Sequence, residues 1–187
     1  MDIENVHKNS KLLIDGIPYN VVEAEFVKPG KGRAIYRLRL QNLRDYTTLD
    51  RTYHSGEKVD EAPISTREEQ FLYKEHDNYV FMDVQSYEQH HVSDTMIGDK
   101  KYYLKEGTVF TMVMLGEEII DANPPNFIEM EIVESAVSSK TDTITGQGKT
   151  ATTETGLIID VPIFVKEGDV IKVDTRTGRY VERVTKK

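Results

Sequence analysis

The chain has 187 residues, room for one large domain or two to three small ones, and its 24 Lys and Arg against 32 Asp and Glu give a formal net charge of −8. An apolar fraction of 38% with 12 Gly and 6 Pro fits a folded chain with modest cores and excludes low-complexity or collagen-like classes. The absence of Cys excludes a disulfide framework, a thiolate zinc site and a thiol nucleophile.

In chain order, Met1 to Lys8 lacks the basic region, apolar run and cleavage site of a signal peptide. No later run reaches membrane-spanning length, so a soluble, cytoplasmic protein without membrane contact is expected. Alternating and β-branched runs then predict strands over Ile17 to Val27, Arg33 to Leu43, Tyr46 to Tyr53, Tyr79 to Val84, Val109 to Leu115, Phe127 to Val133, Leu157 to Val165 and Val170 to Val173. Turn chemistry such as Asp15-Gly16, Pro29-Gly30, Gly98-Asp99, Gly116 and Thr177-Gly178 punctuates them. Helical periodicity is confined to short turns near His91 to Ile97 or Lys101 to Leu104, too short to carry a core. Ser138 to Thr155, polar and rich in Thr, Ser and Gly, reads as an extended loop. The class is all-β.

Two boundaries divide the chain. Charge is balanced up to Pro63-Ile64-Ser65 and strongly acidic after it, and the prolines of Asn123-Pro124-Pro125-Asn126 resist continuation of a central strand. Domains of 1–64, 65–128 and 129–187 result, with net charges of 0, −7 and −1. Lys105-Glu106-Gly107-Thr108-Val109-Phe110 is echoed 61 residues later by Lys166-Glu167-Gly168-Asp169-Val170-Ile171, which suggests two copies of one small barrel, most simply an OB-fold.

Catalytic signatures are missing. Gly148-Lys149-Thr150 ends like a phosphate loop, but Thr143 stands where the first glycine is required. His90, His91 and Asp94 suggest metal ligands, yet adjacent histidines on a strand face opposite ways and no second pair has ligand spacing. Glu68-Glu69 and Glu117-Glu118 diverge for the same reason, so neither an enzyme active site nor a metal site is expected. The window Phe26 to Arg44, by contrast, holds Lys28, Lys31, Arg33, Arg37, Arg39 and Arg44 and no acid, which is what a local phosphate contact needs in an acidic protein. Within it, Lys28-Pro29-Gly30-Lys31-Gly32-Arg33 joins two long strands. Pro29 fixes one dihedral and Gly30 is expected to take the positive φ of a type II turn, leaving Lys31 near a hairpin tip between two side-chain-free neighbours.

Glu25-Phe26-Val27-Lys28-Pro29-Gly30-Lys31-Gly32-Arg33-Ala34 resembles the modified-loop region of the bacterial elongation factor P family. Lys149-x-Ala151, four residues, Gly156-Leu157-Ile158-Ile159-Asp160-Val161-Pro162, two residues, Val165, two residues and Gly168 resembles the family's carboxyl-terminal signature. Asn123 to Glu129 and Gly168 to Gly178 are similar to further family stretches, so the resemblance spans essentially the whole chain. One stretch departs from it: Thr141 to Gly148 keeps Asp142, Gly146 and Gly148 but is Thr-rich, and Thr150 stands where the family commonly has Pro.

The resemblance implies an amino-terminal KOW/SH3-like barrel followed by two OB barrels, arranged in an L like a tRNA. It implies a monomeric factor that binds the ribosome between the peptidyl-tRNA and exit sites when consecutive prolines stall synthesis. Its partners would be the ribosome, its RNA, peptidyl-tRNA and a lysine-modifying enzyme. It carries Lys31 as the modified tip, extended by lysylation or a related amine, with no other cofactor. Lys28, Pro29, Gly30, Gly32 and Arg33 around the tip, Asp142, Gly146 and Gly148 in the later loop, and Tyr180 and Arg183 near the carboxyl end become the expected tRNA or ribosome contacts. Two alternatives stay open. One is a paralogue with a narrower stall preference. The other is a general single-stranded RNA-binding OB protein, which needs exposed stacking aromatics such as Tyr79, Phe81 and Tyr87 and a basic groove.

Overall fold

The computed structural model describes residues 1–135 and 148–184. Three five-stranded sheets follow one another along the chain. The first has the order β4-β3-β2-β1-β5, from β1 (Lys11–Ile14), β2 (Ile17–Val27), β3 (Ile35–Asn42), β4 (Thr48–His54) and β5 (Asp60–Glu61). The second has the order β10-β9-β6-β7-β8, from β6 (Ile64–Glu75), β7 (Asn78–Asp83), β8 (Gln89–Ser93), β9 (Val109–Leu115) and β10 (Glu118–Asn123). The third is β13-β12-β11-β14-β15, from β11 (Phe127–Ser135), β12 (Gly148–Thr153), β13 (Ile158–Pro162), β14 (Val170–Asp174) and β15 (Arg179–Val184). The chain groups into two compact units, Met1–Arg67 with Met112–Ala122, and Glu68–Thr111 with Asn123–Lys187.

Alternation dictates the first core. On β3, Leu38 and Leu40 point inward between the exposed Arg37 and Arg39, and they meet Leu12, Tyr19 and Val21 from the neighbouring strands. Ile3 and Val6, from the short 3₁₀ turn Ile3–Asn5 and its end, close this core, and the Ile3 N–H donates to the Glu57 carbonyl at 3.0 Å. In the second unit the rings of Phe71, Phe81 and Phe110 pack in series, with centroids 5.5 and 5.4 Å apart.

The echoed hexapeptides are one device used twice. Gly107 and Gly168 sit at φ 85° and 81°. Their N–H groups donate to the Phe71 and Ile132 carbonyls at 3.0 and 2.8 Å, and the Phe71 and Ile132 N–H groups donate to Thr108 and Asp169 at 2.8 and 2.9 Å. Each contact sits where β6 or β11 slips register, between Phe71 and Tyr73 and between Ile132 and Glu134. In the third sheet the outer strands β13 and β15 come together, so the sheet curls toward a barrel.

A second device appears in all three sheets. In Asn42 to Tyr46, Asp83 to Tyr87 and Asp174 to Gly178, the fifth residue donates its N–H to the first carbonyl at 2.9, 2.9 and 2.8 Å. The third residue donates its N–H to the first side chain's Oδ1 at 2.8, 2.7 and 2.9 Å. The fifth position is left-handed, at φ 60°, 62° and 68°, a conformation that suits Gly178 and strains Tyr46 and Tyr87.

Three local expectations are corrected. Part of the expected 138–155 loop is strand β12, paired with both β11 and β13, because its Thr residues are β-branched and suit a pleated surface. The expected strand over Leu157 to Val165 stops at Pro162, where the chain turns and the Val165 N–H donates to the Pro162 carbonyl at 3.1 Å. The positive φ expected at Gly30 falls at Gly32, at 116°.

Candidate functional site

Strands β2 and β3 pair from Tyr19 opposite Asn42 up to Val27 opposite Ile35, so residues 28–34 form a seven-residue loop with Lys31 at its midpoint. A loop of that length spreads the reversal over several residues, which is why the tight turn centred on Pro29-Gly30 does not form. A Cβ at Gly30 would meet open space, and one at Gly32 only the Pro29 ring, 3.9 Å away. Lys28, Gly30, Lys31, Gly32 and Arg33 are all exposed, and Pro29 is half-buried. Among the described residues no backbone N–H or carbonyl of residues 28–33 joins an intramolecular backbone hydrogen bond outside the strands, so the loop offers its polar groups outward.

The strand register sorts the basic window into spent and unspent charge. Arg37 lies opposite Glu25 and reaches it at 3.6 Å; Arg39 lies between Glu23, at 3.6 Å, and Asp50, to which it donates at 3.1 Å. That hydrogen bond and the adjoining negative charge raise the Arg39 guanidinium pKa. Arg44 is held by Glu118, whose carboxyl it lowers through the shared hydrogen bonds. Lys28, Lys31 and Arg33 have no ion-pair partner among the described residues. The positive charge of the window is therefore concentrated on the loop.

Sequence reasoning did not single out the surface beneath the loop. Phe26 and Tyr36 are register partners, with ring centroids 5.0 Å apart at 48°. They line an open groove of about 380 Å3 with Val6, His7, Lys8 and Ala24. The aromatic spacing was visible in the chain, but only the pairing puts the rings side by side.

The other expected residues fall into separate places. Tyr180, half-buried on β15, and Gly148, at the start of β12, line one groove with Asp160, Pro162 and Arg179. Arg183 lies 3.5 Å from Asp169, with its guanidinium 5.3 Å from the Phe164 ring. The Lys166 backbone N–H, first, and Arg183 lower the Asp169 carboxyl pKa. Asp142 and Gly146 lie outside the described residues. The imagined metal ligands disperse: His90 Nδ1 is 2.9 Å from the buried Glu69, His91 is exposed, and Asp94 accepts from the Tyr79 hydroxyl at 2.8 Å. No group of three or more potential ligands occurs among the described residues. Of the aromatics suggested as a stacking platform, Tyr79 and Phe81 are buried and Tyr87 is exposed.

Residues 2–59 match the family model "Elongation factor P (EF-P) KOW-like domain", residues 64–122 the "Elongation factor P (EF-P) OB domain", and residues 128–183 "Elongation factor P, C-terminal". The chain belongs to the elongation factor P family. Elongation factor P of Desulfatibacillum aliphaticivorans is 41% identical over 181 residues, 97% of each chain, and that of Rhodopirellula baltica 44% over 177 residues, 95% of this chain and 91% of the relative. Among solved structures, translation initiation factor 5A from Methanococcus jannaschii aligns with a TM-score of 0.53 at 23% identity, covering 65% of this chain and 94% of that one, which bears on the fold alone. A KOW-like domain followed by OB-type barrels is thus the architecture of this elongation factor P family member, as the all-β pattern and the resemblance implied. Among the described residues no helix is long and apolar enough to cross a membrane.

Proposed function

We propose that this translation factor binds the ribosome between the peptidyl-tRNA and exit sites and speeds peptide-bond formation at consecutive prolines, with Lys31 as its working tip. The observation that carries this reading is the unspent charge of the loop: three cations within six residues, at the end of a long hairpin whose other arginines are neutralised. A thin loop with glycines on either side of Lys31 suits entry into a narrow RNA-walled channel, where the ammonium and the open backbone N–H groups bind phosphate or sugar oxygens.

The chemistry asked of the factor is positioning. Proline is a rigid donor and a poor acceptor, and holding the tRNA end and nascent chain in a reactive geometry removes entropy from the barrier without a general base. A covalent amine extension of Lys31, by lysylation or a related step of a dedicated modifying enzyme, would lengthen its reach and keep its charge. Gly148 and Tyr180 in the carboxyl-terminal groove, and Arg183 further along β15, supply a second RNA or ribosome contact.

The test is the rate of synthesis of a peptide with three consecutive prolines in a reconstituted system, beside a proline-free control. Acceleration of the proline template alone, lost in Lys31→Ala, is the expected result. Equal rates with and without the protein would sink the reading. The intact mass of the protein from its native cells reports any extension.

A further inference from the structure

We infer that Phe26 and Tyr36 form a seat on which one unpaired nucleobase of single-stranded RNA stacks while the Lys31 loop holds its backbone. The inference rests on the reading above and gives the loop a second, sequence-neutral grip.

It starts from an apolar face that outruns its cover. Ala24 pairs with Leu38 and Phe26 with Tyr36, so the two rings lie on the side of the hairpin that carries the buried Leu38. Further down, that side is sealed by Ile3, Val6 and the neighbouring strands. At the loop end the cover stops: Tyr36 still packs against the core, but Phe26 is 55% exposed. An exposed phenylalanine held against a half-buried tyrosine is a fixed, pre-organised aromatic surface, whereas a lone surface aromatic would move freely.

Charge identifies the occupant. Lys28, Lys31 and Arg33, none with an ion-pair partner among the described residues, follow Phe26 within seven positions, and Lys8 lines the groove itself. The acids at the groove are already engaged. Glu25 is paired with Arg37 at 3.6 Å, and Glu4 accepts from the Ser55 hydroxyl at 2.6 Å and the Gly56 N–H at 2.8 Å. An aromatic groove with Lys8 in its wall, followed along the chain by the three unpaired cations of the loop, fits a ligand with a π-face and a phosphate backbone. A duplex, whose bases are already stacked, offers no such face.

The test uses the full-length protein and a 10-nucleotide unstructured single-stranded RNA carrying 2-aminopurine at one end, with its duplex with the complementary strand as control. Binding is read by anisotropy and stacking by quenching of the 2-aminopurine. Phe26→Leu keeps an apolar contact to Tyr36 but removes the π-face, and Phe26→Tyr restores it; thermal melts check that both fold. Phe26→Leu should weaken single-strand binding about tenfold and abolish the quench at unchanged salt dependence, with Phe26→Tyr close to the native chain. Lys31→Ala should leave the quench of the bound fraction and flatten the salt dependence. Quenching that is absent in the native protein, or unchanged in Phe26→Leu, overturns the seat, as does a preference for a proline-rich peptide over the RNA.

The triproline assay separates the two ideas. If Lys31→Ala slows the proline template and Phe26→Leu does not, the seat alone fails. If Lys31→Ala has no effect either, the reading of the loop fails with it.

Discussion

Arg44 grips Glu118 with two parallel hydrogen bonds, Nη1 to Oε1 at 2.7 Å and Nη2 to Oε2 at 3.0 Å, and Tyr46 from the same turn donates its hydroxyl to Asp121. One five-residue turn thus makes two polar contacts to β10, one between exposed charges and one to a buried carboxylate. These should differ in weight. Tyr46→Phe removes a donor from a buried acid and should cost about 1–3 kcal/mol, whereas Arg44→Ala should cost about 1 kcal/mol or less because both partners are solvated. Urea unfolding midpoints of the two variants check the order; equal losses would contradict it.

The same slot in the second sheet predicts the opposite sign. Tyr87 is left-handed at φ 62° like Tyr46, but its side chain is 71% exposed and, among the described residues, makes no ring contact or hydrogen bond that would offset the strain. Tyr87→Gly should stabilise the protein by about 0.5–1 kcal/mol, as the glycine already present at position 178 of the third turn suggests. Tyr46→Gly should destabilise, because it also removes the donor to Asp121. Calorimetric melting temperatures of the pair of variants decide this.

Acid should weaken the second unit through Asp94. The Tyr79 hydroxyl, which donates to it at 2.8 Å, and the nearby Lys74 hold its carboxyl below its ordinary value of 3.8. A carboxyl depressed in the folded state contributes stability above its unfolded pKa and loses that contribution as the pH falls through the folded one. Asp94→Asn should therefore be less stable than the native chain at pH 7, and the two should converge as the pH falls below 3.8 and through the lowered pKa of the folded state. Urea midpoints across that range are the measurement, and parallel curves would exclude Asp94 as the titrating group.

Ribosome affinity should distinguish cations by their intramolecular partners and not by their number. Lys28→Ala and Arg33→Ala should each weaken binding and lower the salt slope by about one, while Arg37→Ala and Arg39→Ala, whose charges are met by Glu25, Glu23 and Asp50, should change both much less. Sedimentation with ribosomes at several salt concentrations would show it.

How far the chain could be read without coordinates depended on how local the cause was. Ile17 to Val27 is rich in β-branched residues and Val109 to Leu115 alternates in burial, and strands occupy those same residues. Ile64–Glu75 is a twelve-residue strand that the pattern hides, since Arg67, Glu68, Glu69 and Gln70 read as surface although Glu69 is buried. Arg179–Val184 is hidden likewise: an edge strand is only partly covered, and its charges mask the pairing. At the site, the place of Lys31 on a loop between two strands could be read from Pro29, Gly30 and Gly32, whereas its role came only with the family resemblance. That Arg37 and Arg39 are neutralised and that Phe26 meets Tyr36 follows only from a pairing register with a bulge between Val21 and Glu23, a non-local fact.

All five strands of the first sheet lie within residues 11–61. Its pairings are antiparallel and mostly between sequence neighbours, and a small SH3-like barrel closes in about milliseconds to seconds, short beside synthesis at about 5–20 residues per second. During synthesis this sheet can therefore close while nearly half of the chain is still unmade, and the hairpin that carries Lys31 stands complete before β10 exists. The clasp of Arg44 and Tyr46 on Glu118 and Asp121 has to wait for later residues. A nascent chain stopped near residue 100, its last stretch still inside the exit tunnel, would already present the loop in its finished shape.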